Sequence, residues 1–118
     1  MYNEGVKTFT AGEALAACRR VKLTAGTAGQ VEYADKNDDF VGVTLEAADS
    51  GAPVSVKLAS GPGTVEIEAS GVITVNATIY GADDGKVSAS STGADKYGKA
   101  LEAASGDGAI IESIIDKA

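Results

Sequence analysis

The sequence predicts a mostly β protein, a single small domain of about ten short strands built as a barrel or sandwich, with at most one or two short helical turns. Three observations predict it. Apolar and polar residues alternate with period two in several runs, which puts one set of side chains inside and the other in water. Glycine-bearing turns separate those runs every 6–12 residues or so. One stretch of the chain also echoes another. A length of 118 residues fits one domain with a radius of gyration of roughly 13–14 Å. The core must come largely from Val, Ile, Leu and Ala, because the chain has no Trp, two Phe and four Tyr.

In chain order, residues 1–8 read as an N-terminal arm, and residues 9–118 as the β domain. Tyr2 and Phe9 flank the arm. The arm and its neighbouring strand edge supply the candidate contact residues Tyr2, Asn3, Glu4, Val6 and Phe9, because a short arm can order on docking. Residues 11–20 stay open between strand and short helix. Thr10-Ala11-Gly12-Glu13 has capping-box spacing, and Ala14 to Arg20 are mostly good helix formers. Val41–Glu46, Val54–Leu58 and Val65–Glu68 alternate cleanly and read as strands. Val72–Val75, Thr78–Tyr80, Val87–Ala89 and Ala109–Ile115 are shorter candidates. Asp49-Ser50-Gly51, Ser60-Gly61-Pro62-Gly63, Ala69-Ser70-Gly71 and Asp83-Asp84-Gly85 supply the reversals between them. Leu45–Ala48 and Leu101–Ala104 read as strand ends running into turns. Core packing is the expectation for Phe40, Tyr80 and Tyr97.

The echo runs from Gly29–Ala48 to Gly85–Ala104 at a constant offset of 56, with eight of twenty positions identical. The matched pairs end in Leu45-Glu46-Ala47-Ala48 and Leu101-Glu102-Ala103-Ala104. Two units are too few for a solenoid. They fit one domain made of two similar halves.

The chemistry of an enzyme is missing. The chain has no His, so it holds no His general base, no Ser-His-Asp triad and no His metal ligand. Cys18 is the lone cysteine; a small buried apolar role is expected for it, and disulfide-free usage fits a reducing cytoplasm. Asp35, Asn37, Asp39 and Glu46 have calcium-loop spacing, but Phe40 stands where the loop needs Gly, and Ser91 and Gly93 break the pattern in the echo. No metal or cofactor is expected. Asn76-Ala77-Thr78 matches a glycosylation acceptor, which carries no weight without secretion. A net charge of −7 argues against nucleic acid. No run approaches the ~20 apolar residues of a membrane span. Met1 to Gly5 shows no basic or apolar signal region, so the expected place of synthesis is a cytoplasm.

Arg19–Leu23, then Val41–Ala48, Val54–Leu58, Gly63-Thr64-Val65, Gly85-Lys86-Val87 and Tyr97–Ala104 together resemble the capsid cement (decoration) proteins of tailed bacteriophages. The resemblance covers roughly residues 8–115. It implies a β-barrel-like (β-tulip) fold on the outside of an icosahedral head. It also implies the major capsid protein as partner, a homotrimer at or near three-fold positions, and stapling of capsid subunits after expansion. It carries no catalytic residues. Tyr97 and Lys99, standing where the first half has Val41 and Val43, put strict symmetry of the halves in doubt. The competing expectation is a surface or fibre-associated β-domain binding carbohydrate or another protein. That reading would call for an export signal and exposed aromatic residues.

Overall fold

Val41–Glu46 and Val54–Leu58, the two clearest alternating runs, supply strands that pair with each other and help to close a barrel. The computed structural model describes residues 5–60 and 63–116. Strands β1 (Val6–Ala11), β2 (Arg20–Leu23), β3 (Gln30–Tyr33), β4 (Gly42–Thr44) and β5 (Pro53–Leu58) close in the order β1-β3-β2-β4-β5. β1 is parallel to β3 and antiparallel to β5. A second sheet holds β6 (Val65–Glu68), β7 (Thr78–Gly81), β8 (Val87–Ser88), β9 (Lys96–Ala100) and β10 (Ile110–Ile115), in the order β6-β10-β9-β7-β8. One 3-10 turn, Asp83–Gly85, precedes β8, and the described residues include no α-helix. The radius of gyration is 13.1 Å.

The duplication extends well beyond the echoed segment, because the two halves share strand order and register. The pair Gly42↔Leu58 recurs as Gly98↔Ile115, and Val21↔Gly42 recurs as Ile79↔Gly98. Leu23↔Val31 recurs as Gly81↔Val87. The parallel pair Ala11↔Val31 recurs as the isolated bridge Ala69↔Val87, and the bridge Leu15↔Ala48 recurs as Ile73↔Ala104. β1 to β5 therefore correspond to β6 to β10. That single bridge, with the Ser70 amide donating to the Val87 carbonyl, is the link between β6 and β8, so the second half is an open half-barrel.

The shared motif has a structural job. The Glu46 carboxylate accepts the Ser55 amide at 2.9 Å, and the Glu102 carboxylate accepts the Glu112 amide at 2.7 Å. Each Glu thereby holds the turn after β4 or β9 against the following strand. Cys18 and Asn76 are also equivalent, at φ 63° and 70°. Their amides donate to the carbonyls of Thr44 and Ala100.

The barrel is filled by Phe9, Ala11, Leu15, Val21, Val31, Val54 and Val56. A second cluster spans the joint between the halves, where Ala34, Phe40 and Val43 of the first half join Ile67, Ile79, Val87, Tyr97 and Ile111. Phe40 and Tyr97 are buried as expected, while Tyr80 is only half-buried.

Four expectations change. Residues 11–20 are neither helix nor continuous strand: β1 ends at Ala11, and Leu15 makes a lone bridge. Val72–Val75 is not a strand; only Ile73 bridges, and Val72 and Val75 point outward. Residues 6–8, assigned to the arm, lie in β1 paired with Lys57, Val56 and Ser55. Cys18 is half-buried rather than buried, in a left-handed conformation that a non-glycine residue adopts at a cost.

Candidate functional site

Two regions could serve a binding protein: the joint that fixes the shape of the molecule, and the outer surface that the shape presents. The joint is organised around Arg20, whose side chain is fully buried. Its Nε donates to the Lys86 carbonyl at 2.9 Å. Its Nη2 donates to the carbonyls of Ala82 at 2.6 Å, Ala34 at 3.1 Å and Asp35 at 3.2 Å. The guanidinium lies 5.5 Å from the centre of the Phe40 ring. Burial pushes its pKa down to about 10, against the pull of Tyr97, Asp38, Asp35 and Asp95, so it stays charged at neutral pH. A planar fork reaching carbonyls from both halves is a role that Lys cannot fill. Gly81 gives it room: a Cβ there would sit 2.9 Å from the Arg20 Cζ.

Around this centre the halves are tied by charge and backbone. Arg19 pairs with Glu68 across the joint at 3.1 Å, and within the second half Lys86 pairs with Glu68 at 3.3 Å and Asp107 at 2.8 Å. The Gly85 amide donates to the Ala34 carbonyl, and the Glu68 amide donates to the Cys18 carbonyl. Inside, the Tyr97 hydroxyl and Ser113 Oγ lie 2.7 Å apart, and Ser113 donates to the Val65 carbonyl at 2.8 Å. Tyr97 therefore donates to Ser113. Burial pushes the Tyr97 pKa upward.

Two of the acidic residues with calcium-loop spacing, Asp35 and Glu46, are engaged internally, as is the neighbouring Asp38. Asp35 Oδ1 accepts the Asp84 amide, and Asp38 Oδ2 accepts both the Asp35 amide and the Lys22 ammonium. Glu46 holds the Ser55 amide. Among the described residues no group of three or more carboxylate or thiol ligands converges. Cys18 has its pKa raised by burial and by the nearby carboxylates of Glu66 and Glu68, the reverse of what a reactive thiolate needs.

Of the candidate contact residues, Tyr2, Asn3 and Glu4 lie outside the described residues. Val6 is half-buried at the start of β1, and Phe9 is turned into the barrel core, 7% exposed. A surface feature that the sequence reading missed is a group of exposed aliphatic side chains: Val72 (70% exposed), Val75 (60%) and Leu101 (37%). The uncharged run from Ala69 to Ala82 was its available signal.

A profile of the phage cement protein family matches residues 3–115. The chain belongs to the phage cement protein family. It is thus a structural capsid protein of a phage rather than an enzyme. Among solved structures it is similar to one titled "The crystal structure of head fiber gp8.5 N base in bacteriophage phi29". The likeness has a TM-score of 0.76 and 19% identity, and covers 96% of this chain and 94% of that one. At that identity the likeness speaks to the fold alone. A search of curated proteins finds no significant match. For a cement protein the rigid joint has a plain use: it holds two half-domains as one body, so that any outer face is presented in fixed geometry.

Proposed function

We propose that this cement protein binds the outer surface of an expanded icosahedral phage head as a homotrimer at or near three-fold positions. There it stabilises the shell by bridging neighbouring copies of the major capsid protein. The observation that carries this reading is the family match over residues 3–115. The net charge of −7 is compatible with it, since an acidic surface is repelled by the packaged genome. Cementing needs shape-complementary contact repeated over a symmetric lattice, commonly about 800 Å² per partner, and no reactive group. The test is thermal release of DNA from expanded heads with and without added protein. Cementing raises the release temperature; an unchanged release temperature at saturating protein would contradict it.

A second reading has one observation in its favour. The likeness to a head fibre base suggests a chain that seats a longer fibre on the head. The partner would then be another protein rather than carbohydrate, because the exposed large hydrophobics among the described residues are all aliphatic and offer no ring for sugar stacking.

A further inference from the structure

The duplication provides an internal control for the molecular surface. Residues 11–24 and 69–82 occupy equivalent places in the two halves, as the bridges Leu15↔Ala48 and Ile73↔Ala104 establish. The first copy carries Glu13, Arg19, Arg20 and Lys22; the second has Gly71, Ala77, Thr78 and Tyr80 at the same places. Every charge has been removed, leaving 14 uncharged residues in succession in a chain of net charge −7. In the same segment Ala14 and Ala17 give way to Val72 and Val75, which are 70% and 60% exposed. The Asn76 amide donates to the Ala100 carbonyl, and this places Leu101 beside them.

A fold that only needed to be soluble would favour the reverse substitutions. Exposed β-branched apolar side chains gain nothing from water, and polar residues at neighbouring positions would cost nothing. At two places the second half becomes more polar where it faces solvent: Val43 and Ala34, buried in the joint, have Lys99 and Ser90 as their exposed equivalents. The change at Val72 and Val75 runs the other way, toward exposed apolar side chains.

We infer that the uncharged end of the second half, with Val72, Val75 and Leu101 at its centre, is the face that docks on the capsid shell, against an uncharged apolar spot of the major capsid protein. The assignment rests on the head-binding reading above and names its contact. Area and charge favour the shell over a second copy in solution. Three side chains fall well short of the roughly 800 Å² per partner of a free-standing interface. A second copy would bring its own net charge of −7 toward a chain of the same charge. On a shell, this contact adds to others held in register by the lattice, where small contacts sum.

The test measures binding of the full chain to immobilised expanded heads by interferometry, comparing wild type with Val72→Ser/Val75→Ser and with Leu23→Ser. Leu23 is an exposed apolar residue (53%) of the first half and serves as the control. Docking by this face predicts binding weakened at least about tenfold for the double variant, binding equal to wild type for the control, and unchanged melting temperatures for both. Equal binding by wild type and the double variant, with wild type bound, would overturn the assignment while leaving head binding intact. A double variant that loses a self-associated state in sedimentation velocity would also overturn it, by making the face a contact between copies. A wild-type protein that does not bind heads would overturn the head-binding reading itself.

Discussion

The ring of Phe40, from the first half, stacks on the ring of Tyr97, from the second, with centroids 5.4 Å apart and an interplanar angle of 18°. Both are buried, and the Arg20 guanidinium lies over Phe40, so the three side chains join the halves at one point. Phe40→Ala should therefore cost about 3–5 kcal/mol, as measured by urea unfolding. Tyr97→Phe keeps the stack and leaves Ser113 bonded to Val65, so its cost should be about 1 kcal/mol.

Arg20 is a sharper probe, because it joins carbonyls of both halves. Arg20→Lys should destabilise by about 3 kcal/mol or more, since a single ammonium cannot reach Lys86, Ala82 and Ala34 together. Thermal melts of the two proteins would show it directly. A change under about 0.5 kcal/mol, the range of ordinary surface substitutions, would contradict the role given to the fork.

The equivalence of Cys18 and Asn76 predicts a stabilising change. Both are left-handed, at φ 63° and 70°, and Asn tolerates that region better than Cys. Cys18→Asn should raise stability by a few tenths to about 1 kcal/mol, whereas β-branched Cys18→Val should lower it by about 1–2 kcal/mol. Chemical denaturation of the pair gives the ordering.

Gly42 and Gly98, identical in the echo, are kept for close approach. A Cβ on Gly42 would meet the Lys57 carbonyl, and one on Gly98 the Ile114 carbonyl of the paired strand. Alanine at either site should cost about 1–3 kcal/mol, while alanine at Gly71, which faces open space, should be nearly neutral. Melting temperatures of the three variants test the contrast.

Acid should weaken the fold in part through Asp38. Its hydrogen bond from Lys22, and then the Asp35 amide, hold its carboxyl below the usual range. A depressed carboxyl stabilises the folded state above its unfolded pKa of about 3.9, and that stabilisation is lost as pH falls through the folded value. Asp38→Asn should lower stability at pH 7 and shrink its fall between about pH 5 and 3, read from urea midpoints across that range.

How much of this was legible in the sequence depends on the residue. Val54, Val56, Val65 and Ile67 alternate with polar neighbours and bury as alternation requires. β1 was hidden because its outward residues, Lys7, Thr8 and Thr10, resemble a solvated arm and only Phe9 hints at a core. Val72 to Val75 is as apolar as a strand, and only its exposure separates a surface patch from a core segment. Arg20 beside Arg19 reads as a wet surface; its burial follows from a joint whose two sides are more than sixty residues apart in sequence. The echo was partial for the same reason. Turn and motif positions such as Gly42/Gly98 and Glu46/Glu102 stayed alike, while Ala34/Ser90 and Val43/Lys99 diverged because one half packs and the other meets solvent.

The central claim is decoration of a mature shell, and co-sedimentation of the purified chain with undecorated heads of its own virus tests it most directly. Saturable binding to expanded heads, with none to unexpanded procapsids, is the predicted result. Failure to sediment with either, or equal binding to both, would contradict it.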